Sequence, residues 1–259
     1  MNNTIRTIVF IIMLLLVSTI VSGKHNYYFV NSDNKFSSEL YLIDLTANGS
    51  YISFPNYEFL NPDYITIMVD VRYINWNYER TVFDNMIINK EIQYEIAIYN
   101  MKYFSFAIKS DDSIPWKWYI SNKKFEIGVI TLTYDGSVAR FYYNKTIIYT
   151  LDGTKQNIPL SKGWNLLYIG ARDVDNDKNV DHITPIIIGS VLIYNRSLSF
   201  NEIVYNLRHM NNPIQDGLVL FLKPHPNKII GNKIYDEFGS EGSIYNYNII
   251  VNTNIKTTI

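Results

Sequence analysis

The sequence predicts an all-β protein, an antiparallel sandwich or barrel, on three observations. Apolar and aromatic residues recur in short runs of period two. Turn residues separate the runs, and a single segment carries a helix signature. The densest evidence lies between 131 and 199. Residues 131–134 are β-branched and aromatic, and Asp135-Gly136 is a two-residue hairpin signal. A return strand follows at 138–143, Asn144-Lys145 turns the chain again, and 146–151 runs to Asp152-Gly153.

Upstream, 39–45 and 50–54 alternate as strands, and Leu60-Asn61-Pro62-Asp63 is a turn. Residues 65–73 (ITIMVDVRY) form a long strand. Ile65, Ile67, Val69 and Val71 face one way, and Thr66, Met68, Asp70 and Arg72 face the other. Short strands continue at 82–88, 94–99, 104–108 and 116–120. Trp116 and Trp118, two apart, share one face of the last. The helix is expected over 199–210. Ser199 and Glu202 make a capping box, Ile203, Val204 and Leu207 form its apolar stripe, and Pro213 blocks continuation. A buried strand, GLVLFL, is expected at 217–222.

The N-terminus is separate from this pattern. Arg6 precedes a continuous apolar run at 8–17 that extends through Val21, and Val21-Ser22-Gly23 supplies tolerable cleavage residues. Residues 1–23 therefore read as a leader helix removed before Lys24, with a signal anchor at 8–22 as the alternative. That run falls short of the roughly 20 apolar residues of a spanning helix. Both readings export the chain, and membrane attachment would come only through an uncleaved N-terminus.

With 23 Lys and Arg against 24 Asp and Glu, the chain lacks the basic footprint of a nucleic-acid or anionic-lipid binder. It has no cysteine, which excludes thiol catalysis, disulfides and thiolate metal sites. Function must come from shape, hydrogen bonding and an aromatic surface that includes 22 Tyr, 13 Phe and 4 Trp. The Asn-, Tyr- and Ile-rich composition fits an AT-rich genome, such as that of an archaeon, an archaeal virus or a low-GC bacterium.

Four motifs in order resemble the laminin-G-like, concanavalin A-like jelly rolls. The family's "TYDGS…FYVNG" hairpin is similar to 133–137 with 141–145, and its "LYIG" strand to 167–170. Its "IYNRALS-x-EEI" strand-into-helix is similar to 193–203, and its opening strand and loop to 48–60 (NGSYISFPNYEFL). The resemblance runs from about 48 to 222 and implies a β-sandwich at 24–222 followed by a tail at 223–259. Residues 235–244 look like the family's usual start, "YDxSGxGNxGTI". The tail is therefore expected to complete a sheet, with a remnant second repeat as the alternative. An acidic Asp70 departs from the family, which usually places an aromatic there; its partner would be Arg72 or solvent.

The fold hosts lectins, adhesins and glycosidases alike, so chemistry has to be read from residues. Asp173, Asp175 and Asp177, continuing to Asn179 and Asp181, put oxygen ligands at every second position, a pattern suited to calcium. Lys178 and Thr184 depart from the EF-hand's glycine and glutamate, so an acidic solvated connection is the leading reading and calcium the alternative. The family's frequent rim calcium supports the metal reading. A glycosidase needs two carboxyls about 5 Å apart, or about 6.5–9.5 Å if inverting. No E-x-D-x-x-E string exists, and Glu91 and Glu95 would stand roughly 13 Å apart along a strand. His25, His182, His209 and His225 accompany no G-x-S-x-G elbow and no paired-His motif. Asn48, Asn144 and Asn195 begin glycosylation sequons.

The expected function is an exported, non-enzymatic recognition domain. It would bind a glycan or a surface protein through Trp116 and Trp118, with calcium ordering its rim. A structural coat or envelope unit is the alternative, and a glycoside hydrolase a lesser one.

Overall fold

The computed structural model describes residues 40–74, 84–90, 93–100, 102–109, 117–124, 127–152, 158–163, 165–173, 180 and 182–252. The expected leader at 1–23 and residue Trp116 lie outside them. In chain order the strands are β1 (Leu40–Leu45), β2 (Tyr51–Phe54), β3 (Ile65–Ile74), β4 (Asp84–Lys90), β5 (Tyr94–Tyr99) and β6 (Tyr103–Ile108). They continue with β7 (Lys117–Lys124), β8 (Gly128–Tyr134), β9 (Val138–Tyr143), β10 (Thr146–Asp152), β11 (Leu167–Ile169) and β12 (Ile186–Tyr194). Helix α1 (Phe200–Arg208) leads to β13 (Leu218–Leu222), β14 (Ile229–Ile230), β15 (Lys233–Tyr235), β16 (Glu241–Tyr245) and β17 (Asn248–Asn252).

These strands build two antiparallel sheets packed as a sandwich. The first has the order β10-β9-β8-β3-β12-β1-β17, with β13 also on β12; the second runs β14-β15-β16-β2-β11-β4-β5-β6-β7. Alternation decides what each strand buries. In β3, Ile65, Ile67, Val69 and Val71 enter the core between the sheets, together with Ile96, Phe104, Phe106 and Phe141. Met68, on the opposite face of β3, joins a second cluster with Leu192, Tyr194, Phe221 and Ile203 of α1. The helix therefore covers the outer face of the first sheet.

Helix α1 begins where its capping box dictates. Ser199 N donates to Glu202 Oε2 at 2.7 Å, and Glu202 N returns a bond to Ser199 Oγ. Arg196 adds an ion pair to Glu202 at 2.7 Å. The helix ends at Arg208 rather than Met210, because His209 leaves helical geometry at φ −131. Asn206 is a buried member of the helix that its apolar stripe did not announce. Its amide donates to the Tyr194 hydroxyl at 2.8 Å and accepts from Ile214 N at 2.9 Å.

Turns follow their residues. The first hairpin centres on Gly136-Ser137, one residue later than expected. There the Asp135 carboxylate accepts from both Ser137 N and Val138 N, and Gly136 takes φ 88. Asn144-Lys145 is a two-residue turn, with Asn144 at φ 50 and its Oδ1 accepting from Val129 N. The strand expected at 116–120 runs instead over Lys117–Lys124.

The C-terminal segment is built into both sheets. β16 pairs with β2, placing Tyr245 opposite Tyr51, and β17 pairs with β1, placing Asn252 opposite Leu40. Buried Asp70 pairs with Arg72 at 2.7 Å, yet burial still holds its carboxyl above the ordinary aspartate range. Gly189, at a register shift in β12, leaves the space that Asp70 fills. A Cβ there would lie 2.8 Å from Asp70 Cγ.

Two predictions follow from this packing. Gly189→Ala should destabilise the fold by about 1–3 kcal/mol in denaturant unfolding, and Asp70→Ala in the same chain should recover part of that loss. Glu202 is depressed to about 2 from its ordinary value, chiefly by the Arg196 hydrogen bond. Its contribution is present above the unfolded glutamate value near 4.5 and is lost as pH falls toward 2. Melting curves between pH 5 and 2 should therefore drop less for Glu202→Gln than for the native chain.

Candidate functional site

The second sheet's outer face carries the chemistry. Its inward positions are apolar, among them Ile52, Phe54, Ile88, Ile96, Phe106, Leu167, Ile169 and Ile244. The intervening positions face outward. Strand register strings these into one row across six strands: Ser243, Ser53, Tyr168, Asn89, Glu95 and Ala107. The register shift between Met86 and Ile88 sets Asn89 opposite Glu95.

The middle of this row is a buried polar network. Asn89 Nδ2 donates to Glu95 Oε2 at 2.9 Å, and Arg172 NH1 stands 3.8 Å from the same oxygen. Next to Arg172, Asp173 accepts the Tyr168 hydroxyl at 3.4 Å. The short segment after β11 thus sends one cation to Glu95 and one carboxylate to Tyr168.

At the start of β2 and the end of β16, the network meets aromatic rings. Tyr51 and Tyr245, directly paired in register, stack with centroids 4.4 Å apart and planes 24° from parallel. Tyr168 lies 6.1 Å from Tyr51. Tyr245 is 38% exposed, so this stack, two residues along from the Ser243–Ser53 pair, is accessible beside the buried Asn89–Glu95 pair. Burial, followed by the influence of Tyr245 and then Asp173, pushes the Tyr51 hydroxyl up to about 12. Burial first and Asp173 second also raise Tyr168. Both hydroxyls are neutral at physiological pH and can donate as well as accept. The arrangement offers an aromatic face, phenol hydroxyls and one carboxylate in adjacent positions.

Of the residues singled out by sequence, Asp173 belongs to this network and Trp118 holds a register place opposite Ala107. Asp175 and Asp177 lie outside the described residues, as does Trp116. Among the described residues no group of three or more His, Cys, Asp or Glu is placed to hold a metal. Glu237 and Glu241 are taken by Lys228 and Lys233, respectively. Sequence reasoning missed Tyr51, Tyr168, Tyr245 and Asn89, and weighed Glu95 only against Glu91. Tyrosine at polar-face positions of YISF and EGSIY was the available signal, but the pairing of two strands so distant in sequence was not.

This two-sheet jelly roll, with a helix closing its first sheet and a polar outer face on its second, is a concanavalin A-like class of sandwich. Residues 46–204 match a laminin-G family model described as the concanavalin A-like lectin/glucanases superfamily, and the chain belongs to that family. No curated protein matches it. Among solved structures it is similar to a proposed carbohydrate-binding protein from Bacteroides ovatus ATCC 8483. That likeness has a TM-score of 0.63 at 17% identity and covers 83% of this chain. The chain spans 61% of the Bacteroides ovatus protein's length. It is also similar to the heptameric SAP-like pentraxin of Limulus polyphemus, with a TM-score of 0.48 at 11% identity, covering 70% of this chain and 91% of the pentraxin. The botulinum neurotoxin serotype D binding domain gives 0.45 at 16%, covering 65% of this chain and 42% of that one. At these identities the likeness is one of fold.

The raised Tyr51 value has a measurable consequence. The folded state keeps the Tyr51 proton where the unfolded chain, near 10, has lost it, so this stabilisation is complete below about pH 10 and disappears as pH rises toward 12. Chemical unfolding at pH 9 and pH 11.5 should show a smaller alkaline loss for Tyr51→Phe than for the native chain.

Proposed function

We propose that this chain is an exported, non-catalytic recognition domain whose ligand is a glycan, seated on the Tyr51–Tyr245 stack of the second sheet's outer face. The single observation that carries this reading is the stacked, partly exposed tyrosine pair beside the Tyr168–Asp173 hydrogen bond. A pyranose presents an apolar C–H face and a rim of hydroxyls. The first suits an aromatic ring, and the second suits phenol oxygens. The Bacteroides ovatus protein of the same fold, described as a proposed carbohydrate binder, supports the class of ligand.

The reading is non-catalytic because the carboxylates of this face are engaged in holding the surface. Glu95 is fully buried against Asn89 and Arg172, and Asp173 receives Tyr168. Neither stands beside an open pair of the kind that glycoside hydrolysis uses.

Calcium enters as an ordering ion for the segment after β11. Asp173 is the described member of the proposed ligand set, with Asp175 and Asp177 beyond it. Export would proceed through residues 1–23. Among the described residues no helix is long and apolar enough to cross a membrane. Of the three sequons, Asn48 and Asn195 are exposed and would accept a glycan most readily, while the Asn144 amide packs against Gly128.

The test is a glycan array probed with the chain from Lys24 onward, with calcium and again with chelator. Binding to one sugar class is expected, at least tenfold weaker for Tyr245→Ala and for Tyr51→Ala. Loss with chelator would place calcium in the site. Silence of a folded protein under both conditions, or binding unchanged by both substitutions, would overturn the assignment.

A further inference from the structure

Lys90 has a role that recognition does not account for. It ends β4 opposite Tyr94 in β5, and both side chains are fully buried. Its Nζ donates to Asn56 Oδ1 at 2.8 Å, to Asn165 O at 3.2 Å and, at 3.5 Å, to Gly163 O. All three acceptors are neutral. A charged amine in such a setting loses its hydration, no described residue supplies a counter-ion, and desolvation pulls Lys90 down to about 8. A substantial share of the amine is therefore the neutral, nucleophilic form under mildly alkaline conditions.

The carbonyl that faces this amine is itself held. Asn56 Oδ1 also accepts from Asn61 Nδ2 at 2.9 Å. Asn61 is fixed in turn, since its amide also donates to Tyr57 O at 3.2 Å and its Oδ1 accepts from Gly163 N at 3.0 Å. Because a C=O bond is about 1.23 Å, Asn56 Cγ lies no more than about 4 Å from Lys90 Nζ. Asn56 is exposed, so solvent reaches its amide while the amine is enclosed.

We propose that Lys90 and Asn56 condense into an intramolecular isopeptide bond, a covalent cross-link between β4 and the loop that follows β2. Neutral Nζ attacks Asn56 Cγ, and the charge growing on Oδ1 is met by the Asn61 N–H. The carbonyls of Gly163 and Asn165 hold the remaining Nζ protons as positive charge builds there. The Nζ–Cγ bond forms and the Cγ–Nδ2 bond breaks. The proton released from Nζ passes through solvent to Nδ2, which departs as ammonia. The step needs no oxidant and no co-reactant, and the chain loses the mass of one ammonia, about 17 Da.

The test is peptide mass spectrometry on the purified full chain, denatured and digested with trypsin before and after incubation at pH 7 and pH 9. The expected product joins peptide 36–72, which holds Asn56, to peptide 81–102, uncleaved at Lys90, at about 17 Da below their summed mass. Conversion should be several-fold faster at pH 9 than at pH 7. Separate Lys90→Arg and Asn56→Ala chains should give only linear peptides. Recovery of linear 36–72 and of peptides cleaved at Lys90 from the native chain after pH 9 incubation would overturn the proposal. In that event Lys90 would be a hydrogen-bond hub and nothing more.

Discussion

The pairing of β2 between β11 and β16 is the constraint on which the rest of this structure depends. β2 is only four residues long, yet it joins the C-terminal strands to the body of the second sheet. Ile52 and Phe54 commit its inner face to the core. Gly242 of β16 can approach because it has no side chain: a Cβ there would lie 2.8 Å from Ser53 O. Once that contact is made, Tyr51 and Tyr245 have no separate choice of partner, and their stack follows from the register. The same strand leads directly into the loop that brings Asn56 over Lys90. The tyrosine stack and the lysine enclosure are therefore two consequences of one short strand and its neighbours.

Closure at both ends adds to this. β17 lies on β1 while β16 lies on β2, so the last described strands complete both sheets beside the first two. Ser50 Oγ bonds Asn246 O, and Asn246 Nδ2 bonds Asn48 O, which fastens the β1–β2 turn to the β16–β17 turn. The segment that resembles the family's usual start, 235–244, thus pairs with β2 through β16.

Much of the fold was legible because period two is a local property. The 65–73 alternation gave both faces of β3 correctly, 94–99 and 138–143 coincide with β5 and β9, and Ser199 with Glu202 placed the helix start. The helix end and the first hairpin moved by one or two residues, where backbone angles and one carboxylate's hydrogen bonds override the sequence signal. The site was far less legible. Asp173 and Trp118 are recoverable from composition, but a polar row depends on which strands neighbour each other. β11 lies between β2 and β4 although well over a hundred residues separate it from β2. Glu95 illustrates the difficulty: from sequence it was a carboxylate seeking a partner four residues away, whereas its partners are Asn89 across the sheet and Arg172 from another strand's end.

The outer face therefore works as a graded surface. Buried Glu95 and Asn89, with half-buried Arg172, tie β4 and β5 to the segment after β11, and the tyrosine stack beside them reaches solvent. The most direct test of this account is a ligand titration followed through the ring resonances of selectively labelled tyrosines. The account predicts that Tyr51 and Tyr245 shift first and furthest, with Tyr168 following, while Tyr142 and Tyr194 beneath the helix stay unmoved. Saturable binding that leaves the Tyr51 and Tyr245 rings unperturbed would contradict it.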